Sequence, residues 1–203
     1  MSAPGRPRDP EVDRRIAQAA LDLFGDAGWA GFAMETVARR AGVGKATLYL
    51  RWSSKQALLT DALANRLPEA GDVDTGTLHG DLVELATQIL DLYAGPASRA
   101  AMRLSLEAAT IPGVAEQYEA MRKAQILAAR SIVRRGIARG ELPAGTSVTL
   151  LLDTLVGGSM MHALSTPPQR KAALAADTPR QARRLVDFLL QPVSGQARST
   201  SFS

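Results

Sequence analysis

The chain has 203 residues, of which 46% are hydrophobic and none is cysteine, and its formal net charge is +4. This length and apolar content suffice for a real core in one or two small domains. The lack of cysteine excludes disulfides, thiolate metal sites and a cysteine nucleophile. No apolar signal core opens the chain, and no run approaches the roughly 18 apolar residues of a spanning helix. We therefore expect a cytoplasmic protein without a membrane partner.

The positive charge is concentrated in the N-terminal third. Residues 1–67 hold 10 Lys and Arg against 7 Asp and Glu, whereas residues 68–203 hold 14 against 13. Residues 1–9, rich in Pro, Gly and Arg, are predicted to form a flexible basic arm. Arg6 and Arg8 of this arm either enter a minor groove of DNA or stay solvated. Charge alone indicates a nucleic-acid partner only weakly, because many other proteins are as basic.

The first element after the arm is an amphipathic helix from Pro10 to about Ala27. Asp9 followed by Pro10 is a favourable helix start, and Gly28 ends the helix. Val12, Ile16 and other apolar residues recur along one face at helical spacing. A single buried face of this kind predicts that the helix packs on its successors.

Residues 34–55 predict two short helices around a glycine-bearing turn. Met34, Val37, Ala38 and Ala41 follow the i, i+3, i+4, i+7 spacing of one helix face. Gly42 follows, where a left-handed residue ends a helix without a Cβ penalty. The residues that cover the first helix with the second are Val43, Leu48 and Trp52. This is the pattern of a helix-turn-helix, which points to DNA.

Helices account for almost all of the remaining chain. A helix at 55–67 closes a DNA-binding domain at 10–67, and the Pro- and Gly-bearing residues 68–76 mark a boundary. Five helices are predicted in a second domain at 77–192, namely 78–93, 97–110, 114–139, 147–165 and 178–191. The nearly all-apolar segment 147–165 is predicted to be the most buried helix. The prediction is an all-α fold of about nine helices, with a disordered tail at 193–203.

Three segments of the N-terminal third resemble the DNA-binding domain of the TetR family of transcriptional regulators. They are residues 24–29 (FGDAGW), 37–49 (VARRAGVGKATLY) and 51–55 (RWSSK). The resemblance covers roughly residues 10–65. It implies an all-α homodimeric repressor that binds a palindromic operator in double-stranded DNA and is released by a small molecule. From the residues themselves, which carry no metal-binding or catalytic motif, we expect no cofactor, no metal and no catalytic residue.

The resemblance places the recognition helix at residues 45–51. Lys45 is the expected base reader, because its ammonium can donate to guanine O6 and N7. Ala46 and Leu50 are expected to touch thymine methyl groups. The expected phosphate and groove-edge contacts are Thr47, Tyr49, Arg51 and Lys55. Tyr49 has an alternative place, packed against the first helix with its hydroxyl in water.

The sequence departs from the family pattern at two helix starts. Many relatives carry a hydroxyl residue where this chain has Ala33 and Gly44. Alanine is a poor N-cap and costs on the order of 1 kcal/mol, whereas glycine is a fair substitute. The hydroxyl that would also meet a phosphate is missing at Ala33, so Thr36 is assigned that contact.

In the second domain the resemblance implies an effector cavity around helix 114–139. It also implies that helices 147–165 and 178–191 pair with their symmetry mates in a four-helix interface. The expected effector is small and largely apolar, and the alternative for each lining residue is plain core. The predicted cavity residues are Met102, Leu106, Tyr118, Met121, Met161 and His162.

Three other functions stay open at this point. An activator of the same family has the same sequence features as a repressor. A helical protein-interaction module would use the helix-turn-helix as a protein surface. A small helical enzyme has the least support, because His79 and His162 are far apart and no catalytic or nucleotide-binding motif accompanies them. His162 is more simply a core or pocket residue, and the lone acid Asp153 in its helix is either paired or faces water.

Overall fold

A computed structural model describes residues 9–64 and 73–191, which form ten α-helices and one short 3-10 helix with no strand. The all-α prediction is confirmed. The predicted arm, apart from residue 9, and the predicted disordered tail lie outside the described residues. The elements are α1 (Pro10–Gly31), α2 (Met34–Ala41), α3 (Lys45–Tyr49), α4 (Lys55–Ala64), α5 (Leu78–Ala94), α6 (Ser98–Glu107), the 3-10 turn (Ala108–Thr110), α7 (Ala115–Ala138), α8 (Val148–Ser165), α9 (Pro168–Ala175) and α10 (Thr178–Leu190).

The helix α9 was not predicted, because Pro167-Pro168 was interpreted only as the end of α8. Pro168 instead occupies the first turn of α9. A proline is well suited to that position, since its missing N–H has no intrahelical partner there and its φ is already helical. The helix buries Leu174 in the core of the second domain.

The predicted limits of α1 agree with its backbone. Asp9 caps the helix by accepting a hydrogen bond from the Glu11 N–H at 3.0 Å. Gly28 has φ 64° and ψ −172°, which interrupts the helix at the predicted place before a last turn to Gly31. The left-handed region favours glycine, since a Cβ is strained there.

The buried residues form two separate cores. The first joins α1–α4 but also contains residues of α6 and of the segment that follows it, namely Ala100, Leu104, Ala108, Ile111 and Val114. The second joins α5, α7, α8, α9 and α10. By packing, α6 therefore belongs to the DNA-binding helices, although it follows the predicted boundary at 68–76 in the chain.

A close backbone approach holds α6 against α1. A Cβ built on Gly25 would lie 2.9 Å from Arg99 Cβ and 3.1 Å from the backbone N of Ala100. Arg103 of α6 donates from Nε to Gly25 O at 2.9 Å and from Nη2 to Asp26 O at 3.2 Å. These contacts satisfy carbonyls near the end of α1 and fix the two helices side by side.

The prediction that α8 is the most buried helix is wrong for the single chain. Its buried residues are confined to one face, formed by Leu152, Leu155, Ser159 and Ala163. Met161 is 57% exposed and Asp153 faces water. The helix is apolar all round, and the single chain covers only one of its sides. By length and composition alone α8 also qualifies as a possible membrane span, which corrects the expectation that no run comes close.

Candidate nucleic-acid interface

The helix-turn-helix consists of α2, a tight turn and α3. Gly42 is left-handed (φ 66°, ψ 38°), and its N–H bonds to the carbonyls of Ala38 and Arg39. The Val43 N–H then donates to Ala38 O at 3.0 Å. These hydrogen bonds satisfy carbonyls at the end of α2. The predicted turn is confirmed.

One face of α3 is anchored in the core, and the opposite face is exposed. Leu48 is buried, and Val43 and Trp52 pack against the same core, as the spacing predicted. Leu50 is 88% exposed. The other predicted contacts on α3 are exposed at Lys45, Ala46 and Tyr49 and half-buried at Thr47. The element therefore presents a surface suited to a DNA groove.

Arg51, predicted to meet a phosphate, is engaged within the protein. It forms an ion pair with Asp13 of α1, and its side chain is only 18% exposed. A guanidinium paired in this way is fixed in direction, so Arg51 braces the end of the recognition element against α1. Sequence reasoning missed the partner Asp13. The phosphate contact of Arg51 stays a prediction.

Lys55 begins α4 and lies over the ring of Trp29, with Nζ 3.9 Å from the ring centroid. The same Nζ is 3.5 Å from Trp29 O. The Trp29 N–H donates to the Glu107 carboxylate of α6 at 3.0 Å, and this bond, with that from Arg103, lowers the pKa of Glu107. Lys55, a predicted phosphate contact, is thus linked through Trp29 to α6.

Glu35 of α2 approaches two predicted DNA contacts of α3. The Tyr49 hydroxyl donates to Glu35 Oε1 at 3.1 Å, and Lys45 Nζ lies 3.6 Å from the same oxygen. The hydrogen bond from its own N–H, then that from Tyr49 and the positive charge of Lys45, hold the pKa of Glu35 below its usual value. The bond to Glu35 raises the pKa of Tyr49. Sequence reasoning missed Glu35, because the contact joins two helices.

The two helix starts lack side-chain caps, as predicted. Neither Ala33 before α2 nor Gly44 before α3 makes a side-chain capping hydrogen bond. Thr36 is half-buried in the first turn of α2, where its N–H bonds to Ala33 O at 3.1 Å. The phosphate contact assigned to Thr36 stays a prediction.

The six predicted cavity residues differ in their exposure in the single chain. Leu106 is 76% exposed, and Met161 and His162 are also exposed. These three residues lie on the surface of the single chain, because α6 and α8 bury their other faces. His162 is therefore not a core residue. Met102, Tyr118 and Met121 are half-buried, and effector binding by them stays a prediction.

Two phenols lie at the seam between the cores. Tyr93 packs against the second core and Tyr118 against the first. Burial raises the pKa of both phenols, and the electrostatic interaction with Tyr118 raises that of Tyr93 further. Sequence reasoning missed Tyr93, whose helical spacing alone marks it only as part of an apolar face.

The fold and this surface define a helix-turn-helix DNA-binding regulator with an attached helical domain. Residues 16–62 match the family model described as bacterial regulatory proteins, tetR family, and residues 72–189 match the tetracyclin repressor-like C-terminal domain. The chain therefore belongs to the TetR family of transcriptional regulators, which confirms the resemblance.

Several known proteins resemble more than two thirds of the chain. The HTH-type transcriptional regulator AqdR of Rhodococcus erythropolis is 33% identical over 156 residues, which is 76% of this chain and 74% of AqdR. The regulator YdeS of Bacillus subtilis is 29% identical over 80% of this chain and 83% of its own length. Both relatives are HTH-type transcriptional regulators by name.

Solved structures share the fold at lower identity. The regulator PfmR of Thermus thermophilus has a TM-score of 0.67 at 20% identity, with 87% of this chain and 94% of PfmR covered. FadR of Bacillus subtilis, solved with stearoyl-CoA, has a TM-score of 0.63 at 17% identity, with 88% and 97% covered. These structures extend the likeness to both domains.

Proposed function

We propose that the protein is a ligand-released repressor that binds a palindromic operator as a homodimer. One α3 from each protomer enters a major groove, and half-sites one helical turn apart require the two helices roughly 34 to 36 Å apart. An effector releases DNA by favouring a dimer with a different spacing, and its leverage is its differential affinity for the two states. The protein acts in the cytoplasm, where bacterial DNA lies.

The observation that carries the proposal is the exposed face of α3 on a braced scaffold. Leu48 anchors the helix from below, and Arg51 ties its end to Asp13. Lys45 at the start of α3 reads guanine, and Ala46 and Leu50 meet thymine methyl groups. The contacts to the DNA backbone and groove edge are assigned to Thr36, Thr47, Tyr49, Arg51 and Lys55.

Replacement of the base reader is expected to weaken operator binding. Lys45→Ala should lower the affinity about 10- to 100-fold, since a good base contact is worth roughly 1–3 kcal/mol. The operator is first selected from genomic fragments with the purified protein at about 150 mM salt and is located by footprinting. Fluorescence anisotropy then gives the affinities of both proteins.

The matched control is Lys123→Ala, which removes the same charge from an exposed position on α7. Its affinity should stay within about twofold of the wild type, because it lies outside the helix-turn-helix. A wild-type protein that binds all fragments equally would contradict the proposal and favour the interaction-module function.

The dimer is assigned to the exposed faces of α8 and α10. Leu150, Val156 and Met161 of α8 and Phe188 of α10 are exposed, and Phe188 reaches 78%. Apolar side chains of this size are typical of surfaces that bury one another in a permanent dimer. In this proposal the second protomer covers the exposed apolar side chains of α8, the helix that by composition alone also qualifies as a membrane span.

Gly157 offers a test of this dimer. A Cβ at Gly157 meets nothing within 4 Å in the single chain, so Gly157→Leu should leave the protomer folded. Against a second copy the added side chain overpacks the interface at about 1–3 kcal/mol, which weakens dimerisation roughly 5- to 150-fold. Sedimentation velocity over a concentration series measures the shift. Ala138→Leu, which adds bulk at an exposed site of α7, should leave it unchanged, and an undisturbed Gly157→Leu dimer would place the interface elsewhere.

The effector is proposed to be small and largely apolar and to bind in the second domain. Its site is assigned to the half-buried residues Met102, Tyr118, Met121 and Tyr93, beside the seam between the two cores. Support comes from FadR, a structural neighbour whose structure holds an acyl-CoA, a ligand with a long apolar chain. A ligand at this seam would act on α6, which Arg103 fastens to α1.

A further inference from the structure

We propose that Glu35 is a specificity-determining residue of the DNA interface, which withholds Lys45 and the Tyr49 hydroxyl from the phosphate backbone and leaves Lys45 for the base edges of the operator. The inference rests on the proposed function. It concerns an acidic residue at the centre of a surface whose other predicted contacts are basic, polar or apolar.

Glu35, Lys45 and Tyr49 form a cluster of three side chains beside α3. Lys45 and Tyr49 are four residues apart, so they lie on the same face of α3. Glu35 Oε1 receives both of them, at 3.6 Å from Lys45 Nζ and 3.1 Å from the Tyr49 hydroxyl. The side chains of Lys45 and Glu35 are exposed, so the cluster lies on the outer surface beside α3.

The donors of Lys45 and Tyr49 are limited in number. A tyrosine hydroxyl has one proton, so Tyr49 cannot donate to a phosphate while it donates to Glu35. Lysine has three donors, and Lys45 keeps two of them for guanine O6 and N7 while it faces Glu35. The carboxylate therefore occupies the Tyr49 hydroxyl and one donor of Lys45 and leaves the base contact of Lys45 available.

Glu35 also carries a negative charge. A carboxylate beside the DNA backbone is repelled by phosphates, whose attraction provides nearly all of non-specific binding. This repulsion is the same on every sequence and cancels from the ratio of operator to random affinity. The ratio changes through Lys45: without Glu35 its ammonium can turn to a phosphate on random DNA, whereas on the operator it is held by guanine. Glu35 thus lowers the affinity for random DNA more than the affinity for the operator, which raises their ratio.

The test compares the operator and a random duplex of equal length for the wild type and Glu35→Gln. The glutamine keeps an oxygen that accepts from Tyr49 and removes the charge. At about 150 mM salt, Lys45 released from the carboxylate adds one phosphate contact, which should tighten binding to random DNA about fivefold and steepen its salt slope by about 0.9. The ratio of operator to random affinity should fall about fivefold, because on the operator Lys45 stays with guanine.

Three controls separate this role from a structural one. Glu35→Asp keeps the charge and should retain most of the specificity ratio. Tyr49→Phe removes the hydroxyl donor. Combined with Glu35→Gln, it should leave the salt slope of that variant unchanged, because the slope reports charge. Glu119→Gln removes an exposed acid of α7, near Arg122, and should change neither affinity nor slope. Circular dichroism melts of each variant report the fold.

The outcomes distinguish the two proposals. A wild-type preference for the operator that is unchanged in Glu35→Gln overturns the role of Glu35 and leaves the regulator intact. A Glu35→Gln variant that loses affinity for both DNAs equally also overturns it, since Glu35 would then only support the fold of α2 and α3. A wild type without any preference for the operator overturns the proposed function and this inference together.

Discussion

Gly25→Leu is expected to lower the free energy of unfolding by about 3 kcal/mol, at the upper end of the usual cost of overpacking. Gly25 is buried where α1 meets α6, and the first atom of any side chain would lie 2.9 Å from Arg99 Cβ and 3.1 Å from the Ala100 backbone. Backbone atoms cannot turn aside as a flexible side chain does, so the helices must separate. Urea unfolding followed by circular dichroism measures the loss at one fixed protein concentration, because the stability of a dimer depends on concentration.

The matched control for Gly25→Leu is Ala27→Leu. Ala27 lies two residues further along α1 and is exposed. The same side chain should therefore change stability by less than about 0.5 kcal/mol there. A loss of the same size in both variants would mean that α1 itself resists leucine. A tolerated leucine at Gly25 would mean that α1 and α6 are not held in backbone contact.

The consequence for regulation follows from the two cores. Leu104 and Ala108 complete the core under α1–α4, so separation of α6 disturbs the helices that carry α3 and α4. Glu107 bonds to the Trp29 N–H, and Lys55 of α4 lies on the Trp29 ring. Movement of α6 therefore reaches a predicted DNA contact through two side-chain contacts, a physical route between the proposed effector site and the DNA.

The exposed face of α3 could be predicted from the sequence because the pattern is local. Met34, Val37, Leu48 and the left-handed Gly42 dictate the two helices and the turn within 15 residues. The partners of Arg51 and of Tyr49 could not be predicted. Asp13 and Glu35 lie 38 and 14 residues away in the sequence, and no local spacing distinguishes a carboxylate that receives a long-range contact from one that faces water.

The errors in the second domain have two physical causes. The apolar pattern of α8 is the same whether a residue such as Met161 is covered by its own chain or by another, so sequence alone overestimated its burial. Pro168 ends one helix and starts the next. The end of α8 can be predicted from the proline alone, whereas the start of α9 can be recognised only from the three-dimensional fold. The half-buried Tyr118 was selected from the sequence, whereas Tyr93, which lies on another helix and packs against the other core, was not.

A buried carboxylate ties the start of the second domain together. Asp81 of α5 is fully buried, and its Oδ1 accepts from the Thr75 N–H at 2.6 Å and the Thr75 hydroxyl at 2.8 Å. Its Oδ2 faces Arg135 at 3.4 Å and Arg139 at 3.7 Å, both near the end of α7. Arg135 also donates to Val73 O. The segment that enters α5 is thereby fastened to the end of α7.

Asp81→Ala is expected to lower the free energy of unfolding by about 3 kcal/mol, the lower end of the range for removing one member of a buried ion pair. The lower end applies because the side chains of Arg135 and Arg139 are about a third exposed, so water solvates both once the carboxylate is removed. Asp81→Asn keeps one acceptor and should lose about 1–2 kcal/mol. Asp74→Ala removes an exposed carboxylate 3.9 Å from Arg135 Nε, and it should cost less than about 1 kcal/mol. Equal losses at Asp74 and Asp81 would show that burial of the carboxylate is unimportant.

The pH dependence of the same variants tests the ionisation of Asp81. Burial alone would raise its pKa, but the hydrogen bonds from Thr75 and Arg135 outweigh burial and place the pKa below the ordinary value of 3.8. Because the folded pKa is depressed, the stabilisation is complete above the unfolded pKa and is lost as the pH falls through the folded pKa. The stability difference between the wild type and Asp81→Asn should therefore be constant from about pH 8 to about pH 5 and shrink below about pH 4. Urea titrations across that range measure it, and a difference that grows on acidification would mean that Asp81 is protonated in the folded protein.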